Sequence, residues 1–127
     1  MANAKLDTPG TLKMKTLDEA LLLLQRIHGL VETYAMAVKR NQPSAPLVQN
    51  LRRTLPTLAE NLKSNFGLIA EQVTAVVLAS SRGASEAVRV RTLREGVAQI
   101  KQSLEVAIAQ TKERHTVKEE PRGSDAT

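Results

Sequence analysis

Few side chains in this 127-residue chain could carry acid–base or metal chemistry, since it has two histidines and no cysteine. His28 stands in a run of helix-forming residues, where a lone histidine suggests phosphotransfer. Residues 26–30 lack the lysine and glycine spacing expected around a phosphotransfer histidine. We therefore interpret His28 as a partly buried polar side chain, and we assign His115 to a polar tail.

The glutamates form no recognisable catalytic pair, because a general acid and a general base must converge in one pocket. The sequence contains no Glu-x-x-His motif for a di-metal site, no glycine-rich phosphate loop and no nucleophile elbow. Without cysteine it also has no thiolate ligand or thiol nucleophile. We predict a protein that is not an enzyme and uses no cofactor. The glutamates that form no such pair are scattered along the sequence: Glu19, Glu32, Glu60, Glu71, Glu95 and Glu105.

Four arginines lie around the start of the last predicted helix: Arg82, Arg89, Arg91 and Arg94. The helix dipole disfavours cations there, whereas the free N–H groups of a first turn attract anions. This corner is predicted to bind a phosphate, a nucleic-acid backbone or an acidic protein segment. The alternative is a solvated face in which Arg91 pairs with Glu95 and Arg82 pairs with Glu86.

A second basic cluster is predicted at the opposite end of the molecule. Its members are Lys39, Arg40, Arg52 and Arg53. Residues 39–101 carry ten basic and four acidic side chains, so the net charge of +5 comes from the middle of the chain. Two patches at the ends of a rod about 36 Å long would follow a nucleic-acid backbone by salt-sensitive contacts, without reading base sequence.

The element that organises these residues is a predicted helix over residues 16–40. Thr16 and Glu19 form a capping-box pattern at its start, and Pro43 follows its end. A surface helix shows an apolar stripe of roughly 100° or somewhat more, and the apolar surface of this helix is wider. It is therefore expected to contact more than one partner helix. Its core-facing rows are Leu17, Leu24, Val31 and Val38, with Ala20, Ile27 and Tyr34.

The row Leu22, Gly29 and Met36 lies on the face of this helix most distant from the core-facing rows. One interpretation is that another helix of the same chain covers the row. The other is contact with a second protein or a second copy, where Gly29 allows close approach at a helix-propensity cost of about 1 kcal/mol. Leu23 and Leu30, on the flank, would extend that interface.

Two further helical segments follow. Residues 45–55 are predicted as a short helix, Pro56 as a break or sharp kink, and residues 57–80 as a full-length helix. After a Ser- and Gly-containing loop, the last helix is predicted from Glu86 to Arg114.

The ends of the sequence show little helical periodicity. Residues 1–15 are predicted as a flexible arm and residues 116–127 as a disordered tail. Residues 16–115 then form a single domain. With one Tyr and one Phe, its core must be aliphatic, which favours helices over a β-sandwich.

The predicted fold class is all-α: an antiparallel up-down-up bundle of three long helices, with a fourth, short helix if residues 45–55 pack separately. The predicted function is a non-catalytic, coiled-coil-like interaction module, an adaptor or assembly subunit that self-associates through its first helix. The alternative is a basic bundle that binds nucleic acid or another polyanion, and contact with an acidic membrane surface is a weaker third. No signal peptide or membrane-spanning run is evident, so we expect a cytoplasmic protein without membrane insertion.

Overall fold

The computed structural model describes residues 5–81, 83 and 85–117. This part of the chain contains four helices, α1 (Thr8–Lys39), α2 (Ala45–Leu62), α3 (Gly67–Ser81) and α4 (Glu86–His115). A minimal antiparallel strand pair, β1 (Lys5–Leu6) with β2 (Thr116–Val117), joins the two ends. The all-α prediction is confirmed. The arrangement of three long helices is not, because α1 and α4 have 32 and 30 residues whereas α2 and α3 have 18 and 15.

Helix α1 begins at Thr8, eight residues before the predicted start at Thr16. Asp7 is its N-cap, and its carboxylate accepts a hydrogen bond of 2.7 Å from the backbone N–H of Gly10. Pro9 in the first turn needs no backbone partner, which makes this a favourable start. The prediction of an arm over residues 1–15 is therefore wrong for 8–15, and residues 1–4 lie outside the described part of the chain.

The predicted end of α1 is confirmed, and its geometry shows why the helix ends there. Asn41 adopts a left-handed conformation with a φ of 53°, which asparagine tolerates better than most residues. The backbone N–H groups of Asn41 and Gln42 donate to the carbonyls of Val38 and Ala37, at 3.2 and 2.8 Å. This is the Schellman pattern of helix termination. It reverses the chain into α2.

The predicted break at Pro56 is wrong, since α2 continues through this residue to Leu62. Pro56 is exposed, so the carbonyl of Arg52, which receives no N–H from proline, can be hydrated. The break lies instead at residues 63–66, a turn closed by a 2.7 Å bond from the Phe66 N–H to the Leu62 carbonyl. The predicted helix over 57–80 is thus divided between α2 and α3.

The core is aliphatic, and the predicted core-facing rows are buried in it almost completely. Helices α1 and α4 run antiparallel, because Asp7 meets His115 at one end of the pair and Tyr34 meets Glu86 near the other. Helix α3 also runs antiparallel to α4, since Val76 packs on Gly96 and the Ser80 carbonyl accepts from Arg89.

Candidate functional site

The outward row of α1, Leu22, Gly29 and Met36, is not covered by any described part of the chain. Leu22 is 66% exposed and Met36 is 46% exposed. A Cβ added to Gly29 would have no atom within 4 Å. The interpretation that another helix of the chain covers this row is therefore wrong. Leu23 and Leu30 differ from it, because both are partly buried against the core.

Charged side chains of opposite sign flank this row. Asp18 and Glu19 precede it, Lys39 and Arg40 follow it, and all four are exposed. We call the surface formed by the row and these four charges the α1 outer face. It combines apolar contact area with a defined charge pattern along α1 and its C-cap residue.

The two basic clusters predicted at opposite ends lie at the same end of the molecule. The prediction was wrong because it assumed three helices. The additional turn at residues 63–66 reverses the chain one more time, so the last helix starts at the end of the molecule where α1 finishes. Ser44 at the start of α2 donates to Glu86 at the start of α4 over 2.7 Å. We define the basic end by the described residues of segments 32–53 and 80–95, which include seven basic and three acidic side chains.

Two of the predicted anion-binding arginines at this end have structural partners. Arg94 forms a two-pronged ion pair with Glu32, with N–O distances of 2.9 and 2.7 Å. Its hydrogen bonds lower the pKa of Glu32 and raise its own. Arg89 donates to the Ser80 carbonyl at 2.8 Å and to the Tyr34 hydroxyl at 3.2 Å. We therefore withdraw both residues from the predicted anion site.

The other predicted cations at the basic end are exposed and have no carboxylate partner within the described part of the chain. They are Lys39, Arg40, Arg52, Arg53 and Arg91. The alternative pairing of Arg91 with Glu95 does not occur in the structure. Arg82 lies outside the described residues. The cations available to an external anion thus come mainly from α1 and α2.

A polar network around the buried Tyr34, which the sequence analysis missed, joins all four helices at the basic end. Tyr34 is fully buried, and its hydroxyl accepts from Arg89 and donates to Glu86, the latter at 3.4 Å. Ser44, the residue that caps the start of α2, and the Ser80 carbonyl of α3 complete the network. The available signal was a lone tyrosine on a core-facing row, since a buried tyrosine hydroxyl needs a partner.

A second cluster that sequence reasoning missed holds the two ends of the described chain together. His115 is the last residue of α4, and its Nδ1 lies 3.2 Å from Asp7 Oδ1. Lys13 Nζ lies 3.2 Å from His115 Nε2, so the tautomer with its proton on Nδ1 can donate to Asp7 and accept from Lys13. Gly10 packs directly on His115. We call this cluster, with β1 and β2, the terminal clasp.

Helix α3 carries further exposed apolar side chains. Leu68 is 83% exposed and Leu78 is 54% exposed, and Glu71 is the single charged residue of the helix. The signal for this face was its low charge, which the predicted long helix over 57–80 obscured. This face of α3 is therefore the alternative to the α1 outer face as a contact surface.

A groove between α1 and α4 contains the histidine considered for chemistry. His28 is exposed there rather than partly buried, beside Leu21, Gln25 and the Glu32–Arg94 pair. The groove has a volume of about 470 Å³, and Lys101 also lines it. Within the described residues, no three His, Asp or Glu side chains converge to hold a metal ion. The other charged side chains that line the groove are Lys101 and the paired Glu32 and Arg94.

The geometry is the evidence for function here, since comparison with known proteins adds no relative. No family model, curated protein or solved structure matches this chain. Among the described residues, no helix is both long and apolar enough to cross a membrane.

Proposed function

We propose that the chain is a non-catalytic helical interaction module, an adaptor or assembly subunit, that self-associates through the α1 outer face. The observation that carries the proposal is the exposure of Leu22 and Met36 on either side of an unobstructed Gly29. Covering a leucine side chain that is otherwise in water contributes about 1.5–3 kcal/mol, so such a row favours association.

The rest of α1 provides a stable base for this contact. The buried rows of α1 pack against α2 and α4, and the Schellman turn and the Asp7 cap fix its two ends. A preorganised helix loses little conformational entropy on binding. The glycine in the row allows the axis of a partner helix to approach closely, as small residues do at helix–helix contacts.

Sedimentation velocity over a concentration series tests the proposal. The wild-type protein is expected to associate, and a variant carrying Leu22→Glu and Met36→Glu is expected to remain monomeric. The matched control carries Leu68→Glu and Leu78→Glu, which add the same charge to the exposed face of α3. Loss of association in the control alone would move the interface to α3, and a monomeric wild type would refute self-association.

The second candidate function is binding of nucleic acid through its phosphate backbone, and the convergence of both basic clusters at one end favours it. Aromatic side chains for base stacking are lacking among the described residues of that end, because Tyr34 is fully buried. Contact without stacking is typical of non-specific binding to a duplex backbone, in which cations displace condensed counterions.

Fluorescence anisotropy with duplex DNA and duplex RNA tests this second candidate. Replacing Arg52, Arg53 and Arg91 by Gln should weaken binding equally for unrelated sequences and reduce its salt dependence. The matched control replaces Lys15, Lys63 and Lys101 by Gln, three exposed cations away from the basic end. Equal loss in both variants, or no wild-type binding at low salt, would reject a localised site.

A further inference from the structure

We infer that two copies of the chain pair their α1 helices antiparallel, about a two-fold axis that passes beside Gly29. The inference rests on the proposed self-association and adds its register, its symmetry and the charges that select them. It uses the exposed residues of the α1 outer face and nothing from α2, α3 or α4.

The apolar row is symmetric about Gly29. Leu22 lies seven residues before this glycine and Met36 lies seven residues after it. Seven residues fall about 20° short of two helical turns, so all three side-chain positions share one narrow strip. A two-fold axis at Gly29 therefore places Leu22 of each copy opposite Met36 of the other. Both glycines then lie at the axis, where nothing from their own chains obstructs contact.

The charges flanking the row are also symmetric about Gly29, but with opposite sign. Asp18 and Arg40 lie eleven residues before and after it, and Glu19 and Lys39 lie ten residues before and after it. At 1.5 Å per residue, these positions are about 15–16.5 Å from the axis. The same two-fold operation brings the acidic pair of one copy to the basic pair of the other.

The helical angles indicate which charges meet. Eleven residues place Asp18 and Arg40 about 20° to either side of the strip, and ten residues place Glu19 and Lys39 about 80° to either side. Glu19 of one copy then lies on the same flank as Arg40 of the second copy, and Asp18 lies on the same flank as Lys39 of the second copy. Because the axis repeats each contact, the interface contains four ion pairs.

The charge pattern selects against the alternative orientation. In a parallel symmetric pair, each residue faces its own counterpart, so acidic residues would meet acidic ones and basic residues would meet basic ones. Like charges across an interface are unfavourable. All four side chains are exposed and have no carboxylate or cationic partner in the described part of the chain, so they are available to a second copy.

Two charge-reversed proteins test this register in sedimentation and mixing experiments. One carries Asp18→Lys and Glu19→Lys, and the other carries Lys39→Glu and Arg40→Glu. Each alone is expected to associate more weakly than wild type by on the order of tenfold to a hundredfold, since every pair becomes repulsive. Mixed together, they are expected to form a heterodimer, because all four contacts are again between opposite charges.

The outcomes separate this inference from the function on which it rests. Charge-reversed proteins that still self-associate like wild type, or a mixture that forms no heterodimer, would overturn the antiparallel register. If Leu22→Glu with Met36→Glu still abolished association in that case, the module itself would stand. A wild-type protein that stays monomeric throughout would refute both. Circular dichroism of each variant confirms that it is folded before its association is compared.

Discussion

Two of the helical glycines, Gly29 and Gly96, have opposite surroundings, and this difference determines what each contributes. Gly29 is exposed and open, whereas a Cβ at Gly96 would lie 2.5 Å from Cγ2 of Val76. Gly96 is thus required for the close packing of α4 on α3. Gly29 weakens α1 without an evident benefit to the isolated chain.

The paired substitutions Gly29→Ala and Gly96→Ala should therefore shift stability in opposite directions. Gly29→Ala is expected to raise the free energy of unfolding by up to about 1 kcal/mol, from helix propensity alone. Gly96→Ala should lower it by about 1–3 kcal/mol, because Val76 has stiff χ1 preferences and the core must shift. Urea denaturation of both variants measures these changes, and a shift of the same sign in both would contradict the packing described here.

The Glu32–Arg94 pair has a pH dependence with a definite sign. Hydrogen bonds from Arg94 hold the pKa of Glu32 below its ordinary value. Its stabilisation is therefore present above the ordinary glutamate range and is lost as pH falls through the lowered pKa. The wild-type protein should have a slightly higher melting temperature than the Glu32→Gln variant near neutral pH, and the same melting temperature in acid. Added salt should reduce the difference, because the pair is exposed. A difference in melting temperature that persists in acid would contradict a stabilising role for the Glu32–Arg94 pair.

At the scale of helices, the sequence predicted the buried faces better than the helix boundaries. Apolar periodicity identified the core-facing rows of α1, because burial is set by which face of a helix a residue occupies. The predicted helix boundaries were wrong where two local sequence signals indicated different break points. Pro56 is the more conspicuous helix-breaking signal in the sequence. An exposed proline can nevertheless be accommodated in a helix, whereas the turn-forming residues Ser64, Asn65 and Gly67 end one.

The substitution Pro56→Ala tests the continuity of α2. In a continuous helix, alanine restores the N–H donor for the Arg52 carbonyl and removes the ring clash, so unfolding should cost about 1–3 kcal/mol more. If the chain broke at this position instead, the substitution would leave the stability nearly unchanged. Thermal and urea denaturation of the variant, beside a surface control such as Gln49→Ala, distinguish the two cases.

At the scale of the whole molecule, the number of chain reversals determines which surfaces come together. A single additional turn at residues 63–66 moves the start of α4 to the same end as Lys39 and Arg40. Charge composition indicated an excess of positive residues in the middle of the chain, but it contained no information on this topology. The candidate surfaces were therefore predictable as residues and not as a spatial arrangement.

The terminal clasp suggests how the helices could be connected in a different order along the chain. Because Lys5 pairs with Val117 and Leu6 with Thr116, a short linker could join position 117 to position 5 without spanning the fold. New ends opened in the turn at residues 63–66 would leave every helix intact. Such a circular permutant should retain the native bundle while carrying its termini in the turn at residues 63–66, which would move the attachment point of a fusion partner from the strand pair to that turn.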